Sequence, residues 1–254
     1  MGDVMEQQVS IGQRQLSEAL GPVSSGGDRV SSGVAILHHR NRVSRPETSE
    51  QWHANIGDIH PSQTSKGAEA LIRLLDVFGS IGILLLSWPA MLIVLLAIKL
   101  TSRGPVLYQQ ERVGKAGKLF WLYKFRTMVQ DAEKHVGPVW ATRDDARVTT
   151  VGRVLRRTRL DELPQLFNIL RGDMSLVGPR PERPFFVERH RALQGVRLAV
   201  KPGLTGLAQI RAFYDLKPAH KVKYDYLYIQ RRSFLLNIYI LLRTVPVLFA
   251  KKGW

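Results

Sequence analysis

Residues 77–98, VFGSIGILLLSWPAMLIVLLAI, carry no charged side chain. A helix needs roughly 20 consecutive apolar residues to cross the hydrocarbon layer of a bilayer, and this run is long enough. A buried core helix is the other way to hide such a run, but globular helices seldom stay apolar on every face for this length. Pro89 interrupts the run, behind Ser87 and Trp88. An internal proline removes one backbone hydrogen bond and kinks a helix, and Ser87 is placed to satisfy the freed carbonyl. Lys66 and Arg73 precede the run, and Lys99, Arg103, Arg112, Lys115 and Lys118 follow it. Positive flanks favour the cytoplasmic side of a membrane, here at both ends. A helix that enters, breaks at Pro89 and returns satisfies both flanks. An ordinary kinked span satisfies only one. The expectation is a re-entrant membrane helix over residues 66–100, with Ser87 and Pro89 at the break.

The remaining sequence divides around that helix. Residues 1–65 are rich in Ser, Gly, Gln and His, and only residues 34–37 read as a short strand. Such a composition buries too little apolar surface to offset chain entropy, so a disordered polar tail is expected. The opening MGDVMEQQVS lacks the basic and apolar regions of a secretory signal. The chain has no cysteine, which excludes disulfides, thiolate metal sites and thiol catalysis. Its formal net charge of +16 calls for an anionic partner or surface. Nucleic acid, anionic headgroups and phosphorylated substrates all qualify. No helix-turn-helix, zinc or RNA-binding signature supports nucleic acid.

Residues 101–254 read as a domain with turn and strand signals followed by helices. Strand-like runs at 106–108 and 119–123 flank a hairpin-like turn, Gly114-Lys115-Ala116-Gly117-Lys118. Residues 127–135 look helical. Residues 151–171, VGRVLRRTRLDELPQLFNILR, look like two helical pieces joined near Asp161. Pro164 is tolerated only in a first helical turn, which makes Asp161 the expected N-cap and Glu162 the first helical residue. Gly172 is a natural stop. The last apolar piece, residues 233–254, is broken by Arg243 and Pro246 and is a poor span. A helix lying in the membrane interface and a simple core helix both fit it.

The residues best suited to chemistry are Asp161 and Glu162, with Arg156, Arg157 and Arg159 just before them. An ionised Asp can attack phosphorus and split one displacement into two. A neighbouring Glu can bind Mg²⁺ against a diphosphate, and arginines clamp phosphate oxygens. A bland reading also fits: Arg157 and Asp161 are four apart, as in an ordinary surface ion pair. Pro179, Pro181 and Pro184 stiffen a loop that carries Arg180 and Arg183. Lys124-Phe125-Arg126 ends a strand-like run as phosphate contacts or as a basic outer face. The histidines show no ligand spacing, and no P-loop, nucleophile elbow or dinucleotide fingerprint occurs.

Taken together, several of these stretches resemble one family. LDELPQLFNILRGDMSLVGPRPERP (160–184) is similar to the central signature of the monotopic bacterial phosphoglycosyl transferases, the bacterial sugar transferase family. GPVLYQQERVGKAGKLFWLYKFRTM (104–128), VKPGLTGLAQI (200–210) and KVKYDYLYIQRRSFLLNIYILLRTV (221–245) follow the family in order and spacing. The resemblance implies a helix-rich α/β catalytic domain on a re-entrant helix, with interfacial amphipathic helices. It implies transfer of a sugar 1-phosphate from a UDP-sugar to undecaprenyl phosphate, at the cytoplasmic face of the bacterial inner membrane. That reaction begins exopolysaccharide, capsule or O-antigen synthesis, with downstream glycosyltransferases as partners. By resemblance, Asp161 is the nucleophile and Glu162 the Mg²⁺-linked residue. Arg156, Arg180, Lys124 and Arg126 fall on substrate- and phosphate-binding positions, and Asp225 on a late acidic one. Two departures stand out. Leu207 replaces the usual Trp in Gly206-Leu207-Ala208-Gln209, and Trp88 separates the Ser and Pro that are usually adjacent at the membrane break.

Overall fold

The computed structural model describes residues 61–249, apart from 63, 135–136, 138, 140–144 and 212–217. The tail over 1–60, with its expected strand at 34–37, and the final residues 250–254 lie outside the described residues.

Helix α1 spans Lys66–Thr101. Ser65 starts it, its hydroxyl accepting from the Ala68 amide at 3.2 Å. Ser102 ends it, its amide donating to the Ile98 carbonyl. The helix is long and apolar enough to cross a membrane. It continues as helix through Pro89. The Ser87 hydroxyl, expected to bond a carbonyl freed by the proline, is buried without a hydrogen-bond partner. Trp88 intervenes between the two residues, and the hydroxyl finds no acceptor.

Both halves of α1 are docked, and its middle is not. Ile72, Asp76 and Ser80 are buried at four-residue spacing in the first half, and Val94 and Ile98 in the second. Between them Leu85, Leu86 and Trp88 are 71%, 85% and 60% exposed. This pattern leaves a band of large, mostly exposed apolar side chains, which water would not tolerate over a contiguous surface.

After α1 the chain forms an antiparallel hairpin, β1 (Leu107–Val113) and β2 (Leu119–Phe125). Leu107 pairs with Phe125 and Val113 with Leu119. The alternation of β2 buries Phe120 and Leu122 on one side while Leu119 and Trp121 face out. Residues 127–135 were expected to be helical, but 130–134 form a turn, with Asp131 at φ 57°. The extended exit from β2 wins because Val129 donates to the Arg147 carbonyl and Thr149 to the Thr127 carbonyl. Those bonds commit the backbone to a bridge between Met128 and Val148.

Helices α2 (Thr150–Thr158) and α3 (Gln165–Arg171) follow, separated by a 3₁₀ turn at Leu160–Glu162. Gly172, at φ 93°, stops α3 as expected. Strand β3 (Ser175–Val177) pairs in parallel with β4 (Gly203–Thr205). A Cβ at Gly203 would lie 2.0 Å from the Gly178 nitrogen, so this pairing needs glycine there. Short helices α4 (Pro184–Arg189) and α5 (Leu207–Arg211) precede the longer α6 (Pro218–Arg231) and α7 (Phe234–Phe249).

The main core gathers Leu166, Ile169, Met174, Leu176, Tyr228 and Ile240 among others. A second cluster joins Val94 and Ile98 of α1 to Phe125 and Leu155. Leu163 packs against both, immediately after Glu162. Helix α7 buries Asn237 and Ile240 but leaves Leu235 and Leu242 77% and 69% exposed. It is therefore a helix with one face in the core and an apolar face outside it. The architecture is helix-rich with two small sheets, as the α/β expectation required.

Candidate active site

Helix α2 is pinned to the end of β2. Thr149 caps it, its hydroxyl accepting from the Gly152 amide at 2.9 Å. A Cβ at Gly152 would come 1.9 Å from the Thr127 carbonyl oxygen, so only glycine lets the two backbones approach. From this docked helix Arg156 donates through Nε to Thr127 Oγ1 at 3.0 Å.

The helix ends where Arg159 adopts the left-handed conformation, φ 60°. The turn that follows is closed by the Glu162 amide donating to the Arg159 carbonyl at 3.1 Å. The sequence suggested that Asp161 would cap the next helix. Instead Asp161 and Glu162 sit inside the 3₁₀ turn, and α3 begins at Gln165 behind Pro164. The reversal at Arg159 redirects the chain one turn earlier than a simple cap would. The effect is to bury both acids, at 6% and 8% exposure.

Glu162 is ringed by cations. Arg180 Nη2 lies 2.7 Å from Glu162 Oε1. Lys124 Nζ and Arg159 Nη1 each lie 3.6 Å from the same oxygen. Burial disfavours its charge, but Arg180, Lys124 and Arg159 together hold its carboxyl well below the ordinary range. Asp161 differs. Its Oδ1 is buried with no hydrogen-bond partner. Burial, and then the charge of Glu162, push its carboxyl upward, while Lys124, Arg180 and Arg159 limit the rise. Burial also lowers Lys124, to about 8. Two adjacent acids are thus driven apart in acidity. One is a fixed anion and the other a poorly solvated carboxylate with an open oxygen.

Arg180 is held by a further pair. Arg197 Nη2 donates to the Arg180 carbonyl at 2.6 Å, and Arg197 Nε donates to Asp225 Oδ2 at 2.9 Å. Both charged side chains of that pair are almost fully buried. The structure therefore brings Lys124, Arg180, Asp161 and Glu162 together, with Arg156 held at Thr127 nearby in the chain. Asp225 reaches them through Arg197 and the Arg180 backbone. Arg126 points elsewhere: its Nη2 donates to the Ser102 carbonyl and hydroxyl at the end of α1, at 2.9 and 2.8 Å. Its Nη1 is buried without a partner. Ser87 and Pro89 lie in α1, away from these ion pairs in sequence and in contact.

Arg197 was not singled out from the sequence, since no motif surrounds it; only its approach to Asp225 in space reveals it. Arg159 stood in a legible basic run, but its left-handed backbone had no sequence signal.

The bacterial sugar transferase family model matches residues 67–251. The chain is 41% identical over 241 residues to the UDP-N-acetylgalactosamine-undecaprenyl-phosphate N-acetylgalactosaminephosphotransferase of Aeromonas hydrophila, covering 89% of this chain and 56% of that protein. It is 45% identical over 190 residues to a UDP-glucose:undecaprenyl-phosphate glucose-1-phosphate transferase of Klebsiella pneumoniae, covering 71% and 40% respectively. It is 37% identical over 195 residues to the exopolysaccharide production protein ExoY of Sinorhizobium fredii, covering 71% and 86%. The chain belongs to the bacterial sugar transferase family. It spans about half the length of the Aeromonas and Klebsiella relatives.

Proposed function

We propose that this protein transfers a sugar 1-phosphate from a UDP-sugar to undecaprenyl phosphate through a phosphosugar carried on Asp161. The observation that carries this reading is the unpartnered Asp161 Oδ1, buried beside a Glu162 ringed by cations. An ionised carboxylate oxygen that makes no hydrogen bond is poorly solvated and more basic than usual, which favours attack on phosphorus. It attacks the β-phosphorus, forming an Asp161–phosphorus bond while the bond to UMP breaks and UMP leaves. A phosphate oxygen of the polyprenyl acceptor then attacks the same phosphorus, and Asp161 departs as carboxylate. Lys124, Arg159 and Arg180 face charge that develops on the phosphate oxygens. Arg156 extends this cationic wall, and Asp225 through Arg197 fixes the backbone that carries Arg180.

Among the described residues no cluster of three or more His, Cys, Asp or Glu side chains could hold a metal alone. Glu162 would be the protein donor: its Oε1 faces the three cations, while its Oε2 lies 3.5 Å from Arg180 Nη1, and Mg²⁺ commonly takes one or two carboxylates and completes its shell with substrate phosphates and water. Bound there, Mg²⁺ would neutralise the diphosphate.

The domain arrangement follows the same reading. Residues 1–65 form a polar tail, 66–100 a re-entrant membrane helix and 101–254 a catalytic domain at the cytoplasmic face of the inner membrane. Three features support it: both halves of α1 dock on one unit, its middle is exposed and apolar, and basic residues flank both ends. The exposed face of α7 suits a helix at the interface. The product would pass to downstream glycosyltransferases building a surface polysaccharide. Membrane preparations supplied with undecaprenyl phosphate, Mg²⁺ and a panel of UDP-sugars should release UMP with at least one sugar. Asp161→Asn should release none while keeping its circular dichroism spectrum. Undiminished turnover by that variant would overturn the assignment.

A further inference from the structure

A groove of about 630 Å³ runs between α1 and the catalytic elements, and every residue lining it is apolar. Its volume falls in the range of roughly 300–1,000 Å³ typical of small-molecule sites. Trp88, Leu92 and Leu95 of α1 line one wall; Phe125, Pro164 and Phe167 line the other. The second wall is formed by residues next to the dyad and to Lys124 in the chain. Pro164 is two residues beyond Glu162, and Phe125 follows Lys124, whose Nζ lies 3.6 Å from Glu162 Oε1. The first wall is continuous with the exposed face of the membrane helix, where Trp88 and Leu92 are 60% and 49% exposed.

We infer that this groove seats the phosphate-proximal isoprene units of the polyprenyl phosphate acceptor, an inference that rests on the function proposed above. The complementarity is that of an amphiphile: an apolar channel reached from the lipid-facing helix, whose second wall is built from the same chain segments that carry Lys124 and Glu162. A nucleotide sugar has no apolar portion to fill such a channel. The groove's contribution is position more than affinity. Lipid tails are as apolar as the groove, so the hydrophobic gain on leaving the bilayer is small. The phosphate–cation contacts hold the head, and the groove aims it at the phosphorus on Asp161.

The test uses the full chain in nanodiscs. A photoreactive benzophenone residue at Leu92 should label with radioactive undecaprenyl phosphate, and excess unlabelled undecaprenyl phosphate should remove the label. The same group at Leu86, 85% exposed on α1, serves as the bilayer control. Leu95→Trp, which fills the groove, should raise KM for undecaprenyl phosphate about tenfold, the scale of a misfit in an apolar pocket. KM for the UDP-sugar should move less than twofold. Equal labelling at both positions, or label at Leu92 that undecaprenyl phosphate does not displace, means that ordinary lipid fills the groove and overturns the inference. So does an unchanged acceptor KM in a folded Leu95→Trp protein. UMP release by the unsubstituted protein in the same nanodiscs separates the two readings: release without specific labelling sinks the groove alone, and no release with any UDP-sugar sinks the proposed reaction.

Discussion

Replacing Asp225 with alanine removes one partner of a pair whose side chains are 4% and 6% exposed. Arg197 then stays buried with its charge uncompensated. Breaking such a pair costs about 3–5 kcal/mol, and burial this complete leaves little solvent screening to reduce the figure. For a domain of this size each kcal/mol lowers Tm by about 2–4 °C, so the fall should be about 6–20 °C. The pair itself is not a net source of stability. Burial pushes the Asp225 carboxyl up while Arg197 draws it down, so much of the pair's attraction is spent on desolvating the two charges. An apolar replacement of both partners, Arg197→Met with Asp225→Leu, should therefore recover most of the lost Tm. It should not recover activity, because the Arg180 carbonyl has lost the guanidinium that fixes it at 2.6 Å. Thermal unfolding followed by tryptophan fluorescence, with UMP release on the same samples, reads both effects. A Tm for Asp225→Ala within about 2 °C of the parent would refute the buried-pair reasoning. Full activity in the double variant would refute the link to Arg180.

Other outcomes follow from the same geometry. The profile of kcat/KM against pH should fall on the acid side as Asp161 protonates above the ordinary aspartate value, and on the alkaline side near pH 8 as Lys124 loses its proton. Lys124→Arg should remove the alkaline limb near pH 8, because arginine stays charged; a limb left in place would assign it to another group. Gly152→Ala must move α2 away from the Thr127 carbonyl, and a displacement of about 1 Å at the site costs on the order of 10²-fold in turnover. Asn168 is fully buried, with its amide donating to the Trp121 carbonyl and accepting from the Tyr123 amide. Asn168→Leu leaves both backbone groups unpaired and should cost about 2–6 kcal/mol in chemical denaturation, a range set by the desolvation of each.

The sequence showed most clearly what depends on local pattern. The apolar run marked α1, the turn at 114–118 and its flanking runs marked the hairpin, and Gly172 marked the end of α3. Asp161 and Glu162 stood out as acids in a basic setting. What escaped was decided by non-local bonds. The stretch at 127–135 has helical composition, but Arg147 and Thr149 take its exit backbone into a bridge. The turn holding the dyad depends on a left-handed arginine, a conformation non-glycine residues rarely adopt and no neighbouring residue announced. Arg126 lies two residues from Lys124 and looked equivalent in sequence. The strand ends between them, and one cation turns to Glu162 while the other caps α1. Arg197 became visible only when α6 brought Asp225 against it.

Incubating the purified protein with a UDP-sugar and Mg²⁺, with no lipid acceptor, and then measuring its intact mass and its peptides tests the covalent step most directly. The account predicts one added hexose-phosphate-sized group on the peptide containing Asp161. That group should disappear when undecaprenyl phosphate is supplied and never form on Asp161→Asn. A protein that turns over the complete mixture yet gives no adduct under rapid quenching, or carries it on another residue, would contradict it.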